Sequence, residues 1–397
     1  MLAGFIIRTL RNTGRKNLWK LIVNGAFRGM HSISRFKKRL RDGRYYPAVL
    51  FISVTNQCNL NCQGCWVTRT RPPRHMPPET IDHIIRTSRK QGVYFYGLLG
   101  GEPLLYPGLF EVIEKHPDCY FQVFSNGTTI TEDLARRMAA LENITPLISI
   151  EGLEQVSDVR RGAKQVYSQS ITALDTCVRN GLFTGVATSV CKSNINELVT
   201  EDFVKQVTDA GAAYLWYYIY RPSGSNPCPE LSLEENDILR LRKFMVDIRC
   251  KAPILIIDAY WDDQGRALCP AATGISIHIN PDGYAEPCPP IQFAADRITG
   301  GTDVHTLLSE SRFLREFRKT AAETTRGCIL LEHPDRLKAL IQSQHALDTT
   351  GRESGIRELA SMQCRPGHHI PGNEIPEKHW LYRLAKKHWF FGFGTYG

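Results

Sequence analysis

The stretch Val49-Leu50-Phe51-Ile52-Ser53-Val54-Thr55-Asn56-Gln57-Cys58-Asn59-Leu60-Asn61-Cys62-Gln63-Gly64-Cys65 decides how the rest of the chain is read. Residues 49–54 are a short apolar run of the kind that forms a strand buried on both faces. A loop with three thiols at C-x3-C-x2-C follows directly. That spacing lets three cysteines wrap one face of an iron–sulfur cube and leaves its fourth iron open to a small molecule, whereas electron-transfer clusters commonly use four. Zinc with a distant fourth ligand is the competing reading of a lone triplet. A cofactor loop placed just after a strand matches the rule that β/α barrels build their sites at the C-terminal ends of strands.

Working outward, comparable apolar runs recur at 94–99, 119–124, 147–151, 185–190 and 214–219. Helical patterns lie near 79–91, 108–116, 131–141, 164–180 and 195–210, between these runs. Strands each followed by a helix predict parallel units with right-handed crossovers. The fold class expected is α/β, an open (β/α)6 barrel over 47–250. After a helix near 232–250 the pattern changes. Residues 275–279 and 284–288 flank Asn280-Pro281-Asp282-Gly283, turn chemistry that predicts a β-hairpin in a small α+β domain over 251–370. Helices are expected at 303–320 and 331–347.

The residues at the ends of the predicted strands resemble the radical S-adenosylmethionine (SAM) superfamily. Beside Cys58, Cys62 and Cys65, the stretch Gly100-Gly101-Glu102-Pro103 resembles that family's GGEP motif, which holds the SAM amino group. Ser125-Asn126-Gly127-Thr128 resembles its SNGT motif, and Ser149-Ile150-Glu151-Gly152 its polar site near SAM. Asp158 and Arg161-Gly162 resemble a following D-x-x-R-G stretch, and Ser189 is a further SAM contact by position. The resemblance implies a [4Fe-4S] cluster on the three cysteines and SAM held by Gly100, Gly101, Glu102, Pro103, Ser125, Asn126, Ser149, Glu151, Arg161 and Ser189. It also implies reductive cleavage of SAM to a 5′-deoxyadenosyl radical, with flavodoxin or ferredoxin as reductant. One departure stands out. The family usually places an aromatic residue just before the third cysteine; here that residue is Gly64, and Trp66 follows Cys65 as the candidate adenine contact.

Cys269 and Cys288, with Gly283 five residues before the second, resemble the opening of the SPASM and twitch domains that hold auxiliary [4Fe-4S] clusters. The further cysteine run of a full SPASM domain is missing. One auxiliary cluster on Cys269, Cys288, Cys328 and Cys364 fits the remaining thiols, the last two assigned partly by elimination. Cys119, Cys177, Cys191, Cys228 and Cys250 stand alone and read as small buried hydrophobes or isolated loop residues. His368-His369 reads as a solvated or capping pair as readily as a metal ligand.

The 397 residues carry 49 Lys/Arg and 40 Asp/Glu, a formal net charge of +9. Twelve of the basic residues and one acidic residue, Asp42, fall within 1–44, so an N-terminal arm (1–46) carries +11 and the body is near neutral. Trp19, Val23, Phe27 and Met30 recur there at helical spacing, while Gly14, Gly25 and Gly29 weaken a long helix. A basic amphipathic arm suits an anionic membrane surface, and a plain helix with its apolar side on the body is the competing reading. Nucleic acid is disfavoured by the apolar content. The tail (371–397) is aromatic and basic, with Trp380, Tyr382, Trp389, Phe390, Phe391, Phe393 and Tyr396. No apolar run approaches the ~18–20 residues of a membrane span, and no secretory signal precedes the core. A cytoplasmic protein, peripheral at the membrane, is expected.

Residues 44–50 together with the cysteine loop also resemble radical SAM proteins of hopanoid lipid biosynthesis. The leading expectation is therefore an oxidoreductase that abstracts hydrogen from a lipid or other membrane-associated substrate. The alternative is a radical SAM/SPASM maturase of peptides or proteins. A non-catalytic iron–sulfur electron carrier is a third reading, against which the SAM-like motifs argue.

Overall fold

A computed structural model describes residues 2–388. Trp389, Phe390, Phe391, Phe393 and Tyr396 of the aromatic tail lie outside the described residues. Six parallel strands form where the apolar runs predict them: β1 (Val49–Thr55), β2 (Phe95–Gly100), β3 (Tyr120–Ser125), β4 (Ile144–Ser149), β5 (Gly185–Val190) and β6 (Tyr214–Ile219). Only β4 is displaced, starting ahead of Pro146, which pairs within the ladder opposite Val123.

The sheet does not stop at residue 250. Strand β7 (Leu255–Ile257) pairs parallel with β6. On the other side, β8 (Ser276–Ile279) pairs parallel with β1 and turns through the expected hairpin into antiparallel β9 (Ala285–Glu286). The order is β7-β6-β5-β4-β3-β2-β1-β8-β9, so the hairpin of the C-terminal region is stitched onto the barrel beside the strand that carries the cysteine loop. The β7 edge is covered. The Tyr382 hydroxyl accepts a hydrogen bond from Ile256 N (2.8 Å), and Arg249 donates to Ile256 O (3.0 Å). This satisfies an edge that would otherwise invite another strand.

Two apolar cores lie between sheet and outer helices. A third fills the barrel: Val49, Phe95, Tyr120, Leu147, Ala187, Tyr214, Trp216 and Ile257 point inward with the period of two that strands impose. Ile33 and Phe36 of the arm belong to this inner core. The arm is helical throughout, as α1 (Leu2–Asn12), α2 (Arg15–Lys20), a π-helix (Leu21–Arg28) and α3 (Gly29–Arg41).

The arm lies under the barrel at the N-terminal ends of the strands. Asn17 donates to Ala139 O (3.3 Å), Asn24 to Pro117 O (3.0 Å) and Cys119 O (3.3 Å), Arg28 to Asp118 O (2.6 Å), and Ser32 to Gly92 O (2.6 Å). Arg8 and Arg39 reach Thr208 O and Gln91 O. Gln91, Gly92, Pro117, Asp118 and Cys119 sit in the segments entering β2 and β3, and Ala139 and Thr208 in the last turns of the helices that lead to β4 and β6, so carbonyls at strand entries and helix C-termini take the arm's donors. Up to residue 28 the arm therefore turns polar side chains toward the body, whereas α3 buries Ile33 and Phe36 as a helix packed on a body does.

Candidate functional site

The site forms at the other end of the barrel. Asn56 ends β1 as a buried clamp: its side chain donates to Thr68 O (3.0 Å) and Thr70 Oγ1 (2.9 Å) and accepts from Arg74 N (2.7 Å). This holds the chain on the far side of the cysteine loop. From below, Gly101 N donates to Thr55 O (2.9 Å) and Glu102 N to Gln57 O (2.7 Å). A Cβ at Gly101 would lie 2.2 Å from Gln57 O, so only glycine lets the two loops approach this closely. From the side, Asn126 Nδ2 donates to Asn59 Oδ1 (2.9 Å), and Asn59 Nδ2 donates to Thr128 Oγ1 (2.7 Å).

Glu102 is fully buried beneath these loops. It accepts from Asn126 N (2.7 Å) and Leu104 N (3.2 Å), tying the loop after β2 to the loop after β3. Burial pushes its carboxyl up to about 7, against the pull of those two backbone donors. Arg161 is set between the cysteine loop and β4. Its Nη1 lies 3.6 Å from Cys62 Sγ, and its Nη2 lies 3.2 Å from Glu151 Oε1. Burial works against its charge, but the neighbouring Cys62 and Glu151 outweigh burial and keep it protonated. Glu151 is oriented in turn by Ser189 N (3.0 Å).

Cys58, Cys62 and Cys65 line one cavity of about 200 Å3, together with Trp66, Gly100, Gly101, Ser125, Asn126, Ser149 and Arg161. Motifs from four strand ends thus meet where the spacing expects them. Four expected contacts do not line it. Glu102 and Pro103 are buried below, and Glu151 and Ser189 act on Arg161 and on each other. Arg69 and Asn226 do line it, without a motif to announce them; Arg69 is braced on Leu60 O (2.8 Å). Phe124 and Leu99 also line it and were legible as the residues just before their motifs.

Gly64 explains the missing aromatic residue. Its φ is +62°, and a Cβ there would lie 1.9 Å from Tyr220 Oη. The ring that could not sit before Cys65 instead arrives from the end of β6. Tyr220 carries the Arg160 guanidinium 5.1 Å from its centroid, and Arg160 and Gln63 exchange hydrogen bonds (2.8 and 3.1 Å).

The donor set fits an iron–sulfur cluster. Burial pushes the Cys58 thiol up and the Cys65 thiol to about 12, with the neighbouring cysteines adding to both. Such thiols persist as thiolates only against strong positive charge. Among the described residues, no three His, Cys, Asp or Glu side chains converge on a single ion. A cube asks for a different arrangement, because each cysteine meets a different iron.

Residues 52–205 match the family model described as the Radical SAM superfamily. This region is a radical SAM domain. Its family binds a [4Fe-4S] cluster and SAM, which is the pair of groups this cavity suits. The chain is 25% identical over 252 residues to the sporulation killing factor maturation protein SkfB of Bacillus subtilis, covering 62% of this chain and 60% of that protein. It is 28% identical over 198 residues to the mycofactocin maturase MftC of Mycobacterium tuberculosis, covering 48% and 49%. The chain therefore spans between half and three fifths of the length of these curated relatives. Among solved structures, Streptococcus suis SuiB bound to S-adenosylmethionine superposes with a TM-score of 0.60 at 16% identity, covering 72% of this chain and 70% of that one. SuiB bound to precursor peptide SuiA gives 0.59 at 15%, covering 76% and 72%. At such identities the likeness is one of fold.

A second thiol group lies beyond the radical SAM domain. Cys269, Cys288 and Cys328 sit within electrostatic reach of one another, and Arg221, next to Tyr220, donates from Nε to Cys328 Sγ (3.1 Å). Burial raises Cys269 to about 11 and raises Cys288 well above the ordinary thiol range. Cys364 is exposed, and no interaction joins it to these three, although Arg365 N bonds Leu331 O (2.8 Å) near Cys328. His368 is buried and bonded to Leu268 O (2.9 Å); burial, with Arg221 adding, lowers it to about 3, so it stays neutral.

Proposed function

We propose that this protein is a radical SAM enzyme that modifies a peptide or protein substrate. The observation that carries the radical chemistry is the single cavity in which Cys58, Cys62 and Cys65 face Gly100, Gly101, Ser125, Asn126 and Ser149. A reduced cluster with SAM supplies a 5′-deoxyadenosyl radical able to take hydrogen from an unactivated C–H bond. The chain's own work is placement and exclusion. Cys58, Cys62 and Cys65 would hold the cluster. Arg161 compensates thiolate charge at Cys62 while Glu151 fixes its guanidinium. The backbone at Gly100 and Gly101 and the side chains of Ser125, Asn126 and Ser149 present polar groups for an amino-acid-like ligand. Glu102 keeps the two loops that carry them in register.

The peptide reading is supported by the names of the similar proteins: a killing-factor maturation protein, a mycofactocin maturase, and SuiB with its precursor peptide. It displaces the lipid reading as the leading one. A geometric argument adds to this. The basic arm lies at the strand entries and the cavity at the strand exits, separated by strands of six residues, about 20 Å. A lipid headgroup held at the arm therefore lies a full strand length from the cavity. We assign Cys269, Cys288 and Cys328 to an auxiliary cluster and a flavodoxin or ferredoxin as electron donor.

The test is anaerobic. Reduced, reconstituted protein is expected to form 5′-deoxyadenosine, and Cys58→Ala to form none. Cells carrying the intact protein are then compared with cells carrying Cys58→Ala by mass spectrometry of peptides and of lipid extracts. A hydrogen-loss or cross-link mass in a peptide supports the reading. A cluster-dependent lipid species with unchanged peptides overturns it.

A further inference from the structure

Over residues 2–28 the N-terminal arm is amphipathic in the reverse sense for a helix that only packs on a body. Packed helices turn their apolar stripe inward. Over residues 2–28 the buried positions are polar, Thr9, Thr13, Asn17 and Asn24, with Asn17 and Asn24 bonded to carbonyls of the barrel floor; the apolar side chains that the arm buries fully, Ile33 and Phe36, come from α3. The outward face carries Ile6, Ile7, Leu10, Trp19 and Phe27, exposed by 46, 64, 60, 63 and 63%. Ile6, Ile7 and Leu10 share one side of α1. In the π-helix, where bonds run i to i+5, Ile22 and Phe27 fall on one side as well. A run of large apolar side chains left in water marks a contact surface.

The charge around it has one sign. Arg11, Arg15, Lys16, Arg35, Lys38, Arg41 and Arg44 are exposed on the same arm. Among the described residues only Lys16 and Arg44 of the arm's cations pair with a carboxylate, Glu142 and Asp42. Apolar and aromatic side chains interleaved with unpaired cations match the two layers of an anionic bilayer surface, acyl chains below and phosphates above. A second copy of the chain would bring like charge against like. No described helix is long and apolar enough to cross a membrane.

We propose that this face docks the protein on an anionic bilayer, with the cysteine cavity turned away toward the aqueous side. The inference does not depend on the proposed reaction. It makes the membrane a place of assembly and leaves the substrate in solution.

The experiment is co-sedimentation of the full chain with vesicles of phosphatidylcholine alone and of phosphatidylcholine mixed with phosphatidylglycerol. Binding is expected only to the mixed vesicles and weakens as salt is raised. Trp19→Ser with Phe27→Ser is expected to weaken it about 100-fold, roughly tenfold per buried ring lost. Arg11→Gln with Arg15→Gln, equally exposed, reports the charge contribution independently. Circular dichroism and SAM cleavage stay unchanged in both variants, because no altered side chain touches the barrel interior or the cavity. The inference is overturned by absent binding, by equal binding to both vesicles, by variants that bind like the parent chain, or by a dimer that the Trp19/Phe27 variant dissolves.

Discussion

Gly64→Ala tests how the cysteine loop is built. At φ +62° an alanine costs about 1–2 kcal/mol relative to glycine. Its Cβ would lie 1.9 Å from Tyr220 Oη and 2.6 and 2.7 Å from two ring carbons, so the ring must move. Displacing a packed ring costs about 1–3 kcal/mol, and the ring also carries the Arg160 guanidinium that braces Gln63. The sum is about 2–5 kcal/mol, concentrated on the two residues between Cys62 and Cys65. Urea unfolding of the cluster-free chain measures the stability loss, and iron per chain after anaerobic reconstitution measures the loop. Tyr220→Ala in the same chain should recover the clash and leave the φ cost. The two changes should therefore be non-additive by at least 1 kcal/mol. Tyr220→Phe alone should change little, because that hydroxyl has no hydrogen-bond partner among the described residues. A Gly64→Ala chain with parental stability and iron, or strict additivity with Tyr220→Ala, refutes the packing argument.

Other outcomes follow from the same geometry. Arg242, Arg249 and Lys386 share two carboxylates, Asp258 and Glu377, all five buried. Glu377→Gln strands buried cations and should cost about 3–5 kcal/mol in urea unfolding. The neighbouring cations overcome burial and lower Glu377 to about 2 from an ordinary 4.5, so its stabilisation is present above pH 4.5 and fades as pH falls toward 2; a pH series of melting temperatures reads this directly. Glu102 has the opposite sign. Raised by burial to about 7, it keeps a proton that the unfolded chain releases, so stability falls by about 3 kcal/mol as pH rises from 4.5 to 7. Glu102→Gln should flatten that slope. Cys58→Ala, Cys62→Ala and Cys65→Ala should each remove one cluster's iron and all 5′-deoxyadenosine. Cys269→Ala should lower iron with some uncoupled cleavage left, and Cys364→Ala, exposed and unlinked to the triad, should leave iron unchanged.

The sequence alone determined what depends on local order along the chain. Apolar runs placed the six strands, because burial on both faces demands continuous hydrophobicity. The thiol spacing and the motifs at strand ends named the cofactor chemistry, because every parallel strand delivers its following loop to the same end of a barrel. Asn280-Pro281-Asp282-Gly283 fixed the hairpin through turn chemistry.

Tertiary structure decided what depends on who meets whom. Nothing in residues 275–288 says that β8 pairs with β1, and nothing around Gly64 says that Tyr220, more than 150 residues on, fills its place. Glu102 reads as a ligand in a motif, yet its side chain is spent on two backbone donors below the cavity. The arm's composition suggested an apolar side on the body. Over residues 2–28 that orientation is reversed because the barrel floor presents carbonyls that Asn17 and Asn24 meet, and only α3 buries apolar Ile33 and Phe36. Partners of that kind are distant in sequence, and only folding brings them within bonding distance.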